Sequence, residues 1–164
     1  MRLRSRSLMQ AVSLAAALAS SATLASKAPA DPCSLLPAAD VSKVLGHEFA
    51  APQSTVAPRP YKNTAQGTDC LYKSKSGRGS LLFRVYFDAS PAESAELQAK
   101  LKMFYGTPTP VPGVGDETYM DSKHALHERK GNVRFYLELA GVDSPGPTKD
   151  KQLATLATAI GGRI

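Results

Sequence analysis

The sequence has few of the residues from which catalytic, redox and metal sites are built. Its 164 residues include two cysteines and three histidines. No serine stands in a Gly-x-Ser-x-Gly turn and no glycine-rich phosphate loop occurs, so neither acyl transfer nor nucleotide chemistry is indicated. The cysteines, Cys33 and Cys70, lack the Cys-x-x-Cys spacing of redox and zinc sites. We therefore predict no catalytic constellation, no metal site and no cofactor.

Acidic residues are absent from the first thirty positions, which hold four of the twenty Lys and Arg residues. Three arginines at positions 2, 4 and 6 precede an apolar run over residues 8–18, and Ala28-Pro29-Ala30 offers a small-residue cleavage site. This order of segments is typical of a secretory signal peptide. We predict that residues 1–30 are the leader, with Ala22 and Ala25 as alternative cleavage points, and that the product is periplasmic or secreted.

A second long apolar stretch is missing as well. No run of about 20 apolar residues follows the leader, so no transmembrane segment is expected. Without the leader the chain has sixteen basic and fourteen acidic residues, a net charge of +2. That balance removes the general basicity that would favour binding to nucleic acid or to anionic membranes. Residues 31–164 are long enough for a single domain with one core.

The two cysteines are predicted to form a disulfide, since an oxidising compartment would pair them. Closing a loop of 36 intervening residues stabilises a fold by about 3 to 4 kcal/mol in the chain-entropy model. A redox or metal-binding thiol pair is one alternative. Lipid modification of Cys33 is another, although Ala30-Asp31-Pro32 before it differs from the usual small, apolar lipobox.

Apolar periodicity predicts an α+β domain, with an antiparallel sheet and helices packed on one of its faces. The second predicted helix has Leu97, Leu101 and Phe104 facing inward. Strands followed by a helix occur twice, which indicates a weak internal repeat. A short strand is predicted over 47–51 and a long exposed loop over 52–67. The predicted helices cover 36–46, 90–105 and 148–160, and the remaining strands cover 69–74, 80–88, 117–120, 125–129 and 133–139.

Two of these strands repeat an Arg-x-Tyr pattern on the face opposite their apolar residues. The matching residues are Arg84, Tyr86, Arg134 and Tyr136. If the strands are neighbours, the four side chains form a patch able to stack on and hydrogen-bond an anionic or planar ligand. Alternatively, the arginines pair with Asp88 and Glu138 and the tyrosines pack beneath a helix, because such pairs stabilise sheets without a ligand. Both interpretations place Arg84 and Arg134 on one face.

Other candidate chemistry depends on histidines and carboxylates. His124 and His127 have the spacing of two metal ligands on a helix, but three residues apart on a strand they point to opposite faces. Asp116 and Glu117 are adjacent carboxylates that diverge as they enter a strand. A small envelope hydrolase using either carboxylate is the alternative function, and it requires His47, His124 or His127 beside them.

Five segments of the sequence carry a family resemblance. They are Asp31–Leu36, Val41–Gly46, Cys70–Tyr72, Val114–Tyr119 and Arg129–Asn132. The chain resembles bacterial exported proteins and lipoproteins of unknown function that begin with a Cys-Ser-Leu-Leu segment, and the likeness spans nearly all of residues 31–164. The resemblance implies a PsbP-like α+β fold with bridged cysteines, and it implies no established activity. Pro37 stands where such proteins often have a capping Thr.

Compartment, size and the lack of a catalytic constellation together favour a non-enzymatic module. We expect it to bind an envelope protein or a small ligand outside the cytoplasm. Nothing in the sequence indicates the identity of that partner or the oligomeric state.

Overall fold

The computed structural model describes residues 26–142 and 146–164, so most of the predicted leader lies outside the described residues. Within these ranges no helix is long and apolar enough to cross a membrane. The elements are, in chain order, a 3₁₀ turn Pro32–Leu35, α1 Ala38–Leu45, β1 Gln53–Ala57, β2 Gly67–Lys73, β3 Ser80–Phe87, α2 Pro91–Lys102, β4 Thr109–Pro110, β5 Glu117–Met120, β6 Leu126–Lys130, β7 Val133–Ala140 and α3 Gly146–Gly161.

The strands form one seven-stranded antiparallel sheet in the order β1-β2-β3-β7-β6-β5-β4. Each half of the chain contains an antiparallel meander that is followed by a helix. The two meanders meet where β3 pairs with β7, and there Arg84 faces Tyr136 while Tyr86 faces Arg134. The predicted α+β class and antiparallel sheet are therefore confirmed, and the strand-helix order follows the predicted repeat.

The hydrophobic core lies between one face of the sheet and the helices α1 and α3. Alternation along β3 and β7 directs every second side chain to this face. The sheet contributes Leu81, Phe83, Val85, Val133, Phe135, Leu137 and Leu139 to the core, and α3 contributes Leu153, Leu156, Ala157 and Ile160. The helical residues recur at intervals of three and four, as expected for one face of a helix.

The side chains of Ser90 and Glu93 cap the start of helix α2. The Ser90 hydroxyl accepts a hydrogen bond from the Glu93 backbone N–H at 3.1 Å, and the Glu93 carboxylate accepts one from the Ala89 N–H at 3.0 Å. Packing on a single face holds for α1 and α3, whereas α2 lies against the opposite face beside Arg84 and Tyr136. The prediction that Phe104 faces inward is wrong: α2 ends at Lys102, and Phe104 is 74% exposed.

The segment predicted to be a long loop contains strand β1, and this prediction is wrong in part. Residues 53–57 pair with β2 at the edge of the sheet, and four of the five are exposed. An exposed edge strand carries no apolar alternation, so its sequence reads as a loop. The short strand predicted over 47–51 is reduced to a single bridge between Phe49 and Ser74.

The predicted disulfide is confirmed. Cys33 in the 3₁₀ turn is bonded to Cys70 in β2, with the two Cα atoms 5.6 Å apart. The Tyr72 hydroxyl donates to the backbone carbonyl of Leu36, and Tyr72 is fully buried. The bond and the buried tyrosine together hold the N-terminal segment against the sheet.

Candidate functional site

A cavity of about 330 Å³ lies on the face of the sheet opposite the core, between β3, β7, β6 and helix α2. The segment 58–60 closes one side of it. All four residues of the Arg-x-Tyr pattern line this cavity, and the prediction that Arg84 and Arg134 share a face is confirmed. The lining consists of Pro58, Arg59, Pro60, Leu82, Arg84, Tyr86, Gln98, Leu101, Tyr105, His127, Arg134, Phe135, Tyr136 and Glu138.

Arg134 forms a buried ion pair with Asp88. Its Nε lies 2.6 Å from Oδ2 of the carboxylate and its Nη2 lies 3.0 Å from Oδ1, and the two side chains are 2% and 0% exposed. The guanidinium carbon lies 5.0 Å above the ring centroid of Tyr86. Among the described residues Nη1 has no hydrogen-bond partner, and Arg134 is one of the residues that line the cavity.

Arg84 is held in the same side-on manner, but by Asp69 on the neighbouring strand β2. Its Nε and Nη2 donate to the two carboxylate oxygens at 2.6 and 2.8 Å. The hydrogen bond to Asp69 raises the pKa of Arg84, and burial acts against it. The Arg84 side chain is 27% exposed, and its Nη1 also lacks a partner among the described residues. Of the ion pairs considered from the sequence, only Arg134 with Asp88 forms.

The tyrosine hydroxyls are occupied within the protein, so their rings are what they offer to a ligand. Tyr86 donates to the Pro58 carbonyl at 2.8 Å, which ties the segment 58–60 to the sheet. Tyr136 donates to Oε2 of Glu138 at 2.6 Å, so Glu138 pairs with a tyrosine and not with an arginine. Burial raises the pKa of both phenols, which keeps them neutral.

Gly67 on β2 lies directly beside the ring of Tyr86. A Cβ atom at this position would lie 2.5 Å from Cε1 of the ring. Only glycine therefore fits beside Tyr86 without displacing it.

A histidine–aspartate pair adds a group that the sequence does not reveal as a site. Nε2 of His127 on β6 lies 3.1 Å from Oδ2 of Asp121, and both side chains are almost fully buried. The His127 ring stacks on Tyr119 with centroids 4.9 Å apart, and Tyr105 lies 4.3 Å away. Burial lowers the pKa of His127 although the Asp121 carboxylate acts to raise it, so the imidazole is neutral at pH 7.

The turn after β5 fixes the position of Asp121. Its Oδ1 accepts the backbone N–H groups of Lys123 and Ala125 at 2.8 and 2.9 Å. Burial acts to raise the pKa of Asp121, but the hydrogen bonds from Ala125 and His127 outweigh it and hold the pKa below its usual value.

Alternation along β6 predicts that His127 and Arg129 share a face. Only the register with β7 shows that this face is that of Tyr136.

Gln98 of helix α2 brings an unpaired hydrogen-bond donor to the cavity lining. The residue is 2% exposed, and its Nε2 has no hydrogen-bond partner among the described residues. An unpaired buried amide costs about 1 to 3 kcal/mol, which a ligand acceptor in the cavity would recover.

The two carboxylates of the alternative hydrolase site, Asp116 and Glu117, form hydrogen bonds with residues other than histidine. Asp116 accepts from Arg129 Nη1 at 3.0 Å, and Glu117 accepts from Lys102 at 3.1 Å. His124 pairs with Asp150 at 2.9 Å, and Nδ1 of His47 contacts a backbone carbonyl. The structure therefore does not bring a histidine into hydrogen-bond contact with Asp116 or Glu117. Nor does it place three or more His, Cys, Asp or Glu side chains around a common point within 26–142 and 146–164.

Comparison with known proteins adds no assignment to this geometry. No protein-family model matches the chain, and no curated protein matches it with significance.

Proposed function

We propose that the protein is an exported, non-enzymatic binding module that holds a small anionic, planar ligand in the cavity beneath α2. The observation that carries the proposal is the matched pair of arginines. Arg84 and Arg134 are each fixed side-on by a carboxylate, both residues line the same cavity, and the Nη1 of each has no hydrogen-bond partner among the described residues. Planar guanidinium groups preorganised in this way bind carboxylates and phosphates.

The charge and the shape of the lining support an anionic ligand. Three arginines and one glutamate line the cavity, and that glutamate already accepts a hydrogen bond from Tyr136. The carboxylates that pair with Arg84 and Arg134 lie outside the lining. Tyrosine rings offer flat surfaces for stacking. A volume of about 330 Å³ lies at the lower end of the range of about 300 to 1,000 Å³ for small-molecule sites.

A location outside the cytoplasm is part of the proposal. The Cys33–Cys70 disulfide is a bond that persists in oxidising compartments. The leader-like segment and the resemblance to exported proteins with a PsbP-like fold point the same way. We propose the periplasm or the exterior of the cell as the site of action.

The experiment has two arms, a search for the natural ligand and a defined probe. Native mass spectrometry of the protein purified gently from its own envelope is expected to show a bound small acid. Calorimetry with benzoate is expected to show binding that Arg84→Gln weakens at least about tenfold, by loss of a charge-assisted hydrogen bond. Lys75→Gln is the matched control, because Lys75 also pairs with a carboxylate but lies at an exposed hairpin tip.

The control variant should bind benzoate as the wild type does. A co-purifying protein in place of a small molecule, together with no binding of benzoate, would contradict the proposal. Equal weakening by both substitutions would show that the attraction is a general charge effect and not a property of the cavity.

A further inference from the structure

We propose, building on the function proposed above, that the ligand of this cavity also carries an O–H or N–H donor, and that His127 accepts its hydrogen bond through Nδ1. The ligand class is then a small aromatic acid with a hydroxyl or amino group remote from its anionic end. Asp121 acts as a positioning residue that makes His127 an acceptor.

The tautomer of His127 follows from its partner. Asp121 is a carboxylate, and both of its oxygens can only accept hydrogen bonds. Its contact with Nε2 therefore requires the hydrogen of the neutral imidazole to be on Nε2. Nδ1 is then left with a lone pair and no hydrogen. A ligand group placed against Nδ1 has to donate.

Nδ1 is accessible from the cavity. It has no hydrogen-bond partner among the described residues, yet it is not one of the polar atoms sealed off from solvent. His127 contributes to the lining of the cavity beneath α2. The remaining surface of this imidazole is covered by Tyr105, Tyr119 and Tyr136. Nδ1 is therefore a hydrogen-bonding atom in a part of the lining that otherwise consists of aromatic rings.

The register of the sheet gives the spacing of the two ends. Arg84 faces Tyr136 across β3 and β7, and Tyr136 faces His127 across β7 and β6. A cation, an aromatic ring and an acceptor therefore stand in one row on adjacent strands. With strands about 4.8 Å apart, the backbones of Arg84 and His127 are separated by about 10 Å. An aromatic acid lying over Tyr136 spans this row, with its anion at Arg84 and its donor at His127.

Three probes test the donor requirement: 4-hydroxybenzoate, 4-methoxybenzoate and benzoate. The hydroxyl of the first can donate to Nδ1, whereas the methoxy oxygen can only accept. We expect the wild-type protein to bind 4-hydroxybenzoate at least about tenfold more tightly than 4-methoxybenzoate, because a buried acceptor left unpaired disfavours the analogue. Benzoate should bind between these two or as weakly as the methoxy compound.

Asp121→Asn is expected to convert Nδ1 of His127 from a hydrogen-bond acceptor into a donor while the imidazole ring stays in place. The amide oxygen still accepts the N–H groups of Lys123 and Ala125, which turns the amide nitrogen towards Nε2. The hydrogen of His127 then moves to Nδ1, and the site donates. The preference for the hydroxyl compound should disappear or invert. Asp150→Asn is the matched control, since it alters a second His–Asp pair that lies outside the cavity.

Each outcome distinguishes the two proposals. Benzoate binding with no preference between the substituted compounds overturns the donor requirement and leaves the proposed function standing. Failure of all three probes to bind contradicts both. A preference that persists in Asp121→Asn also overturns the role of His127.

A second measurement covers the case in which the Asp121 variant does not fold. Nitrogen-15 NMR of the wild-type imidazole distinguishes the two tautomers directly. We expect a hydrogen on Nε2 and a bare Nδ1 at pH 7. A hydrogen on Nδ1 in the free protein would refute the inference.

Discussion

At the scale of single residues, the two arginines of the cavity are expected to contribute differently to the stability of the fold. Arg134 and its partner Asp88 are almost completely buried, whereas Arg84 and Asp69 are partly exposed to solvent. Arg134→Leu leaves a buried carboxylate without its cation and is expected to lower the free energy of unfolding by about 3 to 5 kcal/mol. Arg84→Leu is expected to lower it by about 1 kcal/mol, since solvent screens the remaining charge. Urea denaturation measures both.

The double variant Arg134→Leu with Asp88→Leu is the control for this prediction. Removing both charges avoids the unpaired carboxylate, so stability should return towards that of the wild type. Equal losses of unfolding free energy for Arg84→Leu and Arg134→Leu would contradict the conclusion that Arg134 stabilises the fold in addition to lining the cavity.

Glu128 gives the protein a pH-dependent stability. The side chain is fully buried on the core side of β6, its oxygens have no hydrogen-bond partner among the described residues, and burial raises its pKa to about 8. In the unfolded chain this carboxyl group ionises near its ordinary pKa of 4.5. Between these two values folding takes up a proton, so its contribution is complete below pH 4.5 and is lost as the pH rises through about 8.

Glu128→Gln is expected to remove this dependence. The loss in the wild type between pH 5 and pH 9 should be on the order of 3 to 5 kcal/mol, and the variant should be the more stable protein at the alkaline end. Unfolding midpoints in urea across this range measure the difference. Parallel pH profiles for the two proteins would show that Glu128 is ionised in the native state.

The sequence predicts the residues of the site better than it predicts their partners. Alternation places Arg84 and Tyr86 on one face of β3, and Arg134 and Tyr136 on one face of β7, whereas the pairing of the two strands brings the four together. The partners Asp69, Asp121 and Gln98 come from other elements, and their positions depend on the register and on the path of α2. A pattern within one strand carries no information about these distances.

At the scale of elements, the disulfide joins a segment with little regular structure to the sheet. Cys33 is in a four-residue 3₁₀ turn and Cys70 is in a central part of β2. Cys33→Ser with Cys70→Ser, or reduction of the wild type, is expected to lower stability by about 3 to 4 kcal/mol. The comparison of urea midpoints with and without reductant measures the loss. The double variant should show no further response to reductant.

The chemical state of the cysteines in the protein isolated from cells is tested separately. Non-reduced mass spectrometry should find the mass of the chain less two hydrogens. Two free thiols, or a diacylglyceryl group on Cys33, would contradict the bond.

Elements with a strong periodic signal are predicted within a few residues, and the weak ones are not. Helix α1 ends at Leu45 before Gly46, and helix α2 begins at Pro91 after Ser90, as predicted within two residues, whereas α2 ends at Lys102, three residues before its predicted end. Strand β1 has no such signal, because it is exposed and owes its conformation to pairing with β2. Phe104 continues the helical pattern beyond the last turn that forms, so the pattern assigns it to a core it does not reach.

At the scale of the whole molecule, the contacts of the N-terminal segment bear on how the chain is processed. Oδ1 of the buried Asn132 accepts from the Ser26 N–H at 2.6 Å, and its Nδ2 donates to the Ser26 carbonyl at 2.9 Å. With the proposed export, we expect cleavage after Ala25 or earlier, so that Ser26 is retained, in place of a leader that extends over residues 1–30. Removal of residues 26–30 would leave Oδ1 unpaired. The intact mass of the exported protein measures this, and a chain beginning at Asp31 would contradict it.

The sheet order illustrates what a single sequence leaves open at this scale. Two similar strand-helix halves predict a repeat, but they do not say whether the halves pair through their first or their last strands. Here β3 and β7 are the strands that meet, and the cavity exists because of that choice. Helix α2 also crosses to the face opposite α1 and α3, which no local pattern specifies.

The core and the cavity lie on opposite faces of one sheet, so most cavity residues can be substituted with little effect on the packing of the core. Residues such as Leu82, Gln98 and Tyr105 line the cavity without belonging to the hydrophobic core. Exchanging them would change which molecules fit while leaving the packing beneath α1 and α3 as it is. Arg134 and Phe135 are exceptions, because Phe135 belongs to both the lining and the core, and Arg134 lines the cavity while it pairs with the buried Asp88. With the function proposed above, a lineage built on this scaffold would keep the arginine that favours negative charge and vary the other residues that contact the ligand.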